Sequence, residues 1–214
     1  MKREKDSEKT WKDFQETEGL SDDQFQKFKI YEEFLSYYND KVNLTSLKSL
    51  PEILNRHFSD SFILRKAIDL SKVKIVADIG SGAGFPSLPL KILYPNLGVI
   101  LIEVRKKRQE FLRELIDKLN LKNVEICDLD WRTFLRKTEG DVEYFFSRAS
   151  LEPKELCRAF KPSSPYKDST IIYWGAEDWE PEKSIKNFVD REFTYSIKRK
   201  KRKLIFMKLK EGDK

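Results

Sequence analysis

The segment KIVADIGSGAG at 74–84 constrains this chain more than any other. An apolar run passes through Asp78 and stops at three glycines, 80, 82 and 84, alternating with Ser81 and Ala83. Glycine leaves room for close backbone approach and reaches conformations that other residues avoid. A strand ending in such a loop brings bare N–H and C=O groups against a ligand, and open parallel sheets bind ligands at the carboxyl ends of their strands. Spacing narrows the ligand class. A dinucleotide-binding turn reads G-x-G-x-x-G, whereas this loop reads D-x-G-x-G-x-G, with a carboxylate ahead of the first glycine. That charge repels a pyrophosphate and tolerates a cation.

The pattern on either side of the loop sets the fold class. After it, apolar runs at 74–79, 98–104, 124–127, 144–149 and 169–175 alternate with helical stretches, one starting near Pro86 and ending before Pro95 and another over about 106–119. This alternation predicts parallel strands joined by crossover helices. FTYSI at 193–197 and KLIFMKL at 203–209 read as a closing antiparallel pair. Before the loop, Phe25, Phe28, Tyr31, Phe34, Leu35 and Tyr38 recur at helical spacing after Ser21, and Ile53, Leu54, Phe58, Phe62 and Ile63 do so after Pro51. The expected division is a helical cap over 1–70 and an α/β domain over 71–214, together one compact unit. Residues 1–19 are charged and nearly patternless, and read as a mobile lead with some helix around Trp11 and Phe14.

Composition excludes several classes. A formal net charge of +6 with 36% charged residues gives a solvated surface mildly attractive to polyanions. Cys127 and Cys157 offer neither a disulfide framework nor metal-ligand spacing, so buried thiols in a reducing cytoplasm are expected and no metal. The first ten residues lack an apolar signal or membrane segment, which points to a cytoplasmic protein with no membrane partner.

The loop resembles motif I of the S-adenosylmethionine-dependent methyltransferases, and Asp78 suits a sulfonium donor with an ammonium group. Glu103 closes the second strand, where a carboxylate accepts hydrogen bonds from vicinal ribose hydroxyls; its alternative is a strand-end ion pair with Arg105 or Lys107. Asp128 and Asp130 follow the third strand, and either the Asp130 side chain or the Trp131–Arg132 backbone can meet an adenine edge. Arg148 ends the fourth strand, placed for a cofactor carboxylate or an RNA phosphate, or for a bridge to Asp60 or Glu103. His57 is balanced between packing and catalysis. Asn43 and Thr45 read as an interhelix turn that can also roof the pocket. The run KRKKRK at 198–203 falls between two predicted strands as a hairpin tip able to reach phosphates, through Arg199, Lys200, Lys201 and Arg202. Glu177, Asp178, Glu180 and Glu182 form an acidic patch without a role in this reading.

Five segments taken together resemble one family: VNLTS at 42–46, RHFSDS at 56–61, DIGSGAGFPSLPL at 78–90, the Lys107–Arg108 pair and SRA at 147–149. The family is the bacterial small-subunit ribosomal RNA guanine-N7 methyltransferases of the glucose-inhibited division protein B type. The resemblance implies a Rossmann-like class I methyltransferase fold with a seven-stranded, mostly parallel sheet and an antiparallel closing strand. It implies S-adenosylmethionine as cofactor and 16S rRNA or the small ribosomal subunit as partner; a monomer is expected. Cofactor contacts are implied at Gly80, Phe85, the Trp131–Arg132 backbone and Arg148; beside these, Asp78, Gly82, Gly84, Glu103 and Asp130 are cofactor candidates, Lys107 and Arg108 RNA candidates, and Asp60, His57 and Arg148 catalytic candidates. Methylation at N7 uses an exposed lone pair and releases no proton, so alignment and electrostatics carry the reaction and a carboxylate such as Asp60 can steady the purine. The chain departs from the family at Val42, Ser87 and Trp174, the last in place of a lysine. A small-molecule methyltransferase and a non-catalytic RNA- or ribosome-binding module are the alternatives.

Overall fold

The protein, in a computed structural model, is described over residues 2–209, with side chains from residue 6 onward. Seven strands form one sheet in the order β3-β2-β1-β4-β5-β7-β6. Their bounds are β1 Ile75–Ile79, β2 Gly98–Ile102, β3 Val124–Cys127, β4 Tyr144–Ser147, β5 Thr170–Ala176, β6 Val189–Ile197 and β7 Lys200–Met207. The first five run parallel, and β7 pairs antiparallel with both β5 and β6. This is the sheet that the class I methyltransferase reading expects.

The order places β1 between β2 and β4, so the chain reverses direction across the sheet at the carboxyl end of β1. A crevice opens at such a switch point. Side chains alternate along the strands: Val76, Leu101, Phe146, Ile172 and Phe206 join one core, Ala77, Ile102, Phe145, Ile171 and Ile205 the other. The first core lies under α1 Lys2–Glu18, α2 Asp22–Val42, α4 Ser87–Leu93 and α5 Lys106–Lys118; the second lies under α6 Trp131–Lys137 and α7 Pro153–Leu156. Between α2 and β1 runs α3, a helical segment of changing pitch with an α turn at Leu50–Ile53, a π turn at Leu54–Ser59, an α turn at Asp60–Phe62 and a 3-10 turn at Ile63–Lys66.

Local signals account for several of these boundaries. Ser21 caps α2 by accepting from the Gln24 N–H, and the Gln24 side chain accepts from the Ser21 N–H in return. Asn43 ends α2 in a left-handed conformation, with φ 52°. Asn39 then closes the following turn, donating to the Thr45 carbonyl and accepting from the Thr45 N–H.

One expectation fails here. The first 19 residues are not a mobile lead: α1 is a 17-residue helix with Trp11 and Phe14 buried. Phe14 stacks on Phe62 at 6.0 Å and meets Phe28 edge-on at 6.2 Å. The Arg65 guanidinium holds Glu18 at 2.7 Å. Two aromatic side chains one helical turn apart anchor the helix through tertiary contacts, which its strongly charged sequence does not advertise. Phe14→Ala is expected to lower the unfolding free energy by about 3 kcal/mol, measured by urea denaturation; a loss below about 1 kcal/mol would show that α1 adds little to the core.

Candidate active site

The glycine loop leaves β1 with both the Gly80 and Ser81 N–H groups donating to the Ile102 carbonyl, at 2.8 and 3.2 Å, so its first turn is tied to β2. Its glycines have different causes. A Cβ at Gly80 would stand 2.6 Å from Ser150 Cβ, and one at Gly84 would stand 2.8 Å from the Tyr31 hydroxyl. Neighbouring side chains fill the Cβ space at those two positions, so packing within the protein itself requires glycine there. Only at Gly82 is the nearest atom as far as 3.8 Å. The Ser81 hydroxyl beside it is buried and has no hydrogen-bond partner among the described residues.

Tyr31 is the contact that the sequence reading missed. Its hydroxyl donates to the Ala83 carbonyl at 2.6 Å, and its ring lies parallel to Phe85 at 5.2 Å. Tyr31 sits in the apolar stripe of α2, and nothing in that stripe separates a ring that packs from one whose hydroxyl fastens the loop.

Glu103 is buried at the end of β2 with both carboxylate oxygens in use. One accepts from the Gly82 N–H at 3.0 Å and the other from the Arg105 N–H at 2.9 Å, while Arg108 lies at 3.6 Å. A carboxylate has about four acceptor sites, so capacity for two more donors remains. Arg108 therefore stands with Glu103, and Lys107 is exposed at the start of α5. Asp78 is buried under the loop and accepts from the Ser87 N–H at 3.3 Å.

After β3 the Asp130 side chain is engaged locally, which favours the Trp131–Arg132 backbone of the two alternatives. Asp130 is the N-cap of α6, accepting from the Arg132 and Thr133 N–H groups and from the Thr133 hydroxyl at 3.0, 3.1 and 2.7 Å. Its acceptor sites are largely spent on the helix. Trp131 is core, its indole N–H donating to the Glu155 carbonyl at 3.1 Å, and Arg132 forks onto the Glu155 carboxylate at 2.7 and 3.2 Å.

The cap and the sheet meet at Asp60, His57 and Arg148. The π turn of α3 brings the Arg56 carbonyl, His57 and Asp60 toward the end of β4. There Arg148 donates to Asp60 Oδ2 at 3.3 Å and to His57 Nδ1 at 3.0 Å, with the Arg56 carbonyl at 3.4 Å. Its guanidinium lies 5.2 Å above the Phe85 ring. Arginine has only donors, so Nδ1 of His57 is the acceptor and Nε2 carries the proton toward Thr45 Oγ1, 2.7 Å away. Burial, reinforced by the Arg148 and Arg56 charges, pushes His57 down to about 3, so the ring is neutral at neutral pH. It stacks on Phe85 at 4.3 Å. Asp60 is 1% exposed, its Oδ1 accepting from the Tyr195 hydroxyl at 2.7 Å and facing Arg202 Nε at 3.7 Å, and its backbone carbonyl accepting from the Trp174 indole at 3.3 Å. Trp174 thus supports Asp60 through its indole N–H. Ala149 follows Arg148 at φ 55°, a left-handed conformation costing about 1 kcal/mol for a residue with a Cβ.

The basic run is not one hairpin tip. Only Lys198 and Arg199 make the turn, and β7 begins at Lys200. Arg202 turns to Asp60, Lys201 pairs with Glu177 at 3.1 Å, and Lys203 is buried between Glu192 at 3.1 Å and Glu180 at 3.8 Å. Glu182 pairs with Lys154 at 3.7 Å. The acidic patch therefore acts largely as counter-charge to nearby lysines.

The profile of the family described as rRNA small subunit methyltransferase G matches residues 24–206. The chain belongs to that family. "Ribosomal RNA small subunit methyltransferase G" of Aster yellows witches'-broom phytoplasma is 50% identical over 105 residues, covering 49% of this chain and 50% of the relative. The protein of the same name from Bacillus subtilis is 39% identical over 126 residues, covering 59% of this chain and 53% of the relative. The chain spans about half the length of the relatives it matches. Among solved structures, MtNAS in complex with MTA and tNA is similar at TM-score 0.59 with 17% identity, covering 85% of this chain and 74% of that one. A SAM dependent methyltransferase from Aquifex aeolicus is similar at TM-score 0.53 with 20% identity, covering 73% and 93%. Both likenesses concern the fold. The family match extends over the cap from residue 24 as well as over the sheet, and so includes the Asp60–Arg148 junction.

Burial pushes the Asp78 carboxyl up to about 7, with the Ser87 hydrogen bonds and the Arg148 charge opposing the rise. Between about pH 4 and pH 7 the folded protein keeps a proton that the unfolded chain has lost, so this group's contribution to stability falls as pH rises through that window. Asp78→Asn is expected to remove that slope, at about 1.4 kcal/mol per pH unit at most, when urea unfolding is compared at several pH values. Parallel pH profiles for the two proteins would show that Asp78 does not titrate there.

Proposed function

We propose that the protein transfers a methyl group from S-adenosylmethionine to N7 of a guanine in 16S rRNA, acting in the cytoplasm as a monomer on the RNA or the small ribosomal subunit. The observation that carries the reading is the pairing of the loop at Gly82, where an added Cβ would meet nothing nearer than 3.8 Å, with the Glu103 carboxylate, which retains acceptor capacity beside it. Family membership and the sheet order support it.

The residues fit the cofactor. The unpartnered Ser81 hydroxyl and the side-chain-free backbone at Gly82 supply polar surface, Glu103 would accept from the ribose hydroxyls, and Arg148 would hold the amino-acid carboxylate with guanidinium donors not committed to Asp60 or His57. The bound donor supplies a methyl group on a cationic sulfonium. Guanine N7 carries its lone pair exposed, so no side chain has to remove a proton. His57 suits that chemistry as a neutral, fully engaged ring that holds Arg148 and covers Phe85. Asp60, held by Tyr195 and Arg148, acts as a positioning residue for the guanidinium, and its negative charge offsets the cation beside a purine that gains positive charge. RNA would reach this centre over a basic surface that includes Lys107.

Calorimetric titration with S-adenosylmethionine is expected to show one site, and Glu103→Gln to weaken it about tenfold to a hundredfold; absence of binding by the folded wild-type chain would refute the reading. Mapping of N7-methylguanosine in small-subunit rRNA, from cells with and without the gene, tests the substrate.

A further inference from the structure

Between the π turn of α3 and the β6–β7 hairpin lies a cleft of about 400 Å³, within the size range of small-ligand sites. Asn55, Arg56 and Asp60 line one side; Ile197, Lys200 and Arg202 line the other, with Lys198 and Arg199 at the turn. Two features of this cleft come from strand geometry. Successive residues of a strand face opposite sides, so the basic run divides: Lys200 and Arg202 line the cleft, while Lys201 and Lys203 pair with Glu177, Glu180 and Glu192. Cross-strand register sets Ile197 opposite Lys200 and Tyr195 opposite Arg202.

The cleft is left strongly cationic. Five basic residues line it against two acids, Glu52 and Asp60. Asp60 is already engaged by Arg148, and Glu52 lies 3.9 Å from Arg56. Its accessible wall is nonetheless mostly apolar, because long basic side chains bring hydrocarbon stems as well as charge. An apolar wall with cationic heads matches an unpaired nucleotide, whose base has two apolar faces and whose phosphates carry the charge. Duplex RNA has no free base to insert and would lie across the rim. The cleft also adjoins the reaction centre, since Asp60 belongs to both and holds Arg148 at 3.3 Å.

We propose that this cleft takes one unpaired nucleotide of the substrate RNA strand adjoining the guanine that is methylated, its base against Asn55 and Ile197 and its phosphates on Arg56, Lys200 and Arg202. The proposal rests on the RNA-methyltransferase reading and specifies the path of the strand. It assigns the cap a share in RNA binding through Arg56 and Asn55, which the basic run alone does not.

The test uses the full chain and a single-stranded oligoribonucleotide of about ten residues with one central guanine, followed by fluorescence anisotropy over a salt series. Arg56→Glu combined with Lys200→Glu is expected to weaken binding at least about tenfold and to flatten the log K against log salt slope by about 1 to 2. Asn55→Trp fills the cleft without changing charge; it is expected to weaken binding about tenfold with the slope unchanged. Lys201→Glu, on the other face of β7, is expected to cost at least about fivefold less than Lys200→Glu. S-adenosylmethionine affinity and melting temperature, measured on each variant, report intact folding. Wild-type affinity in Asn55→Trp, or equal losses for Lys200→Glu and Lys201→Glu, would overturn the proposal in favour of unspecific surface attraction. Methyl transfer at wild-type rate by the cleft variants would overturn the cleft alone. Cleft-dependent RNA binding without any transfer by the wild type would overturn the enzymatic reading and leave the cleft standing.

Discussion

The structure depends on a buried carboxylate. Asp60 lies on the cap, yet its side chain and carbonyl receive Arg148 from the end of β4, Tyr195 from β6 and Trp174 from β5, with Arg202 of β7 beside it. A charge removed from water costs several kcal/mol unless it is paired and hydrogen-bonded, so these partners are held together by what it would cost to leave any one of them alone. The cap is thereby bound to four strands near the mouth of the crevice. Arg148 is the beneficiary: burial opposes its charge, Asp60 supports it, and His57 and Phe85 fix its plane.

A second connection joins the cap to the loop. Tyr31 reaches from α2 to the Ala83 carbonyl and occupies the space that a side chain at Gly84 would need. Glu103 grips the same loop from β2 through the Gly82 N–H. The loop is held from both sides before any ligand arrives, an arrangement that reduces the ordering a bound molecule must impose. In this respect the cap and the sheet form one site, with Phe85 stacked between rings contributed by the cap.

Legibility in the sequence followed the range of the interactions. The strands and most helices were readable because periodicity and capping act within a few residues, as at Ser21–Gln24 and Pro86. Asp78, Glu103, His57, Asp60 and Arg148 were readable as candidates because polar residues at strand ends and in the RHFSDS and SRA segments stand out from their neighbours. Of their partnerships only the Arg148–Asp60 bridge was legible. Tyr31, Trp174 and Tyr195 look like ordinary apolar positions, and only the crossing of α2 and of β5–β7 over the centre gives their polar atoms a task. The docking of the first helix escaped for the same reason: Trp11 and Phe14 find Phe25, Phe28 and Phe62 across the fold, and the intervening charges hide the pattern.

Chain order alone determined the α/β class, the place of the glycine loop at a strand end, and the choice of a carboxylate-led loop over a dinucleotide turn, since each is a consequence of neighbours in the chain. Tertiary structure decided which charges remain available. Asp130 is consumed by its own helix and Lys201 and Lys203 by acids on facing segments, while Arg56 gains a place at the cleft that its position in the cap does not announce. The reason is physical: whether a charge is free depends on which opposite charge folding brings within a few ångströms, and that distance is set by topology and strand register.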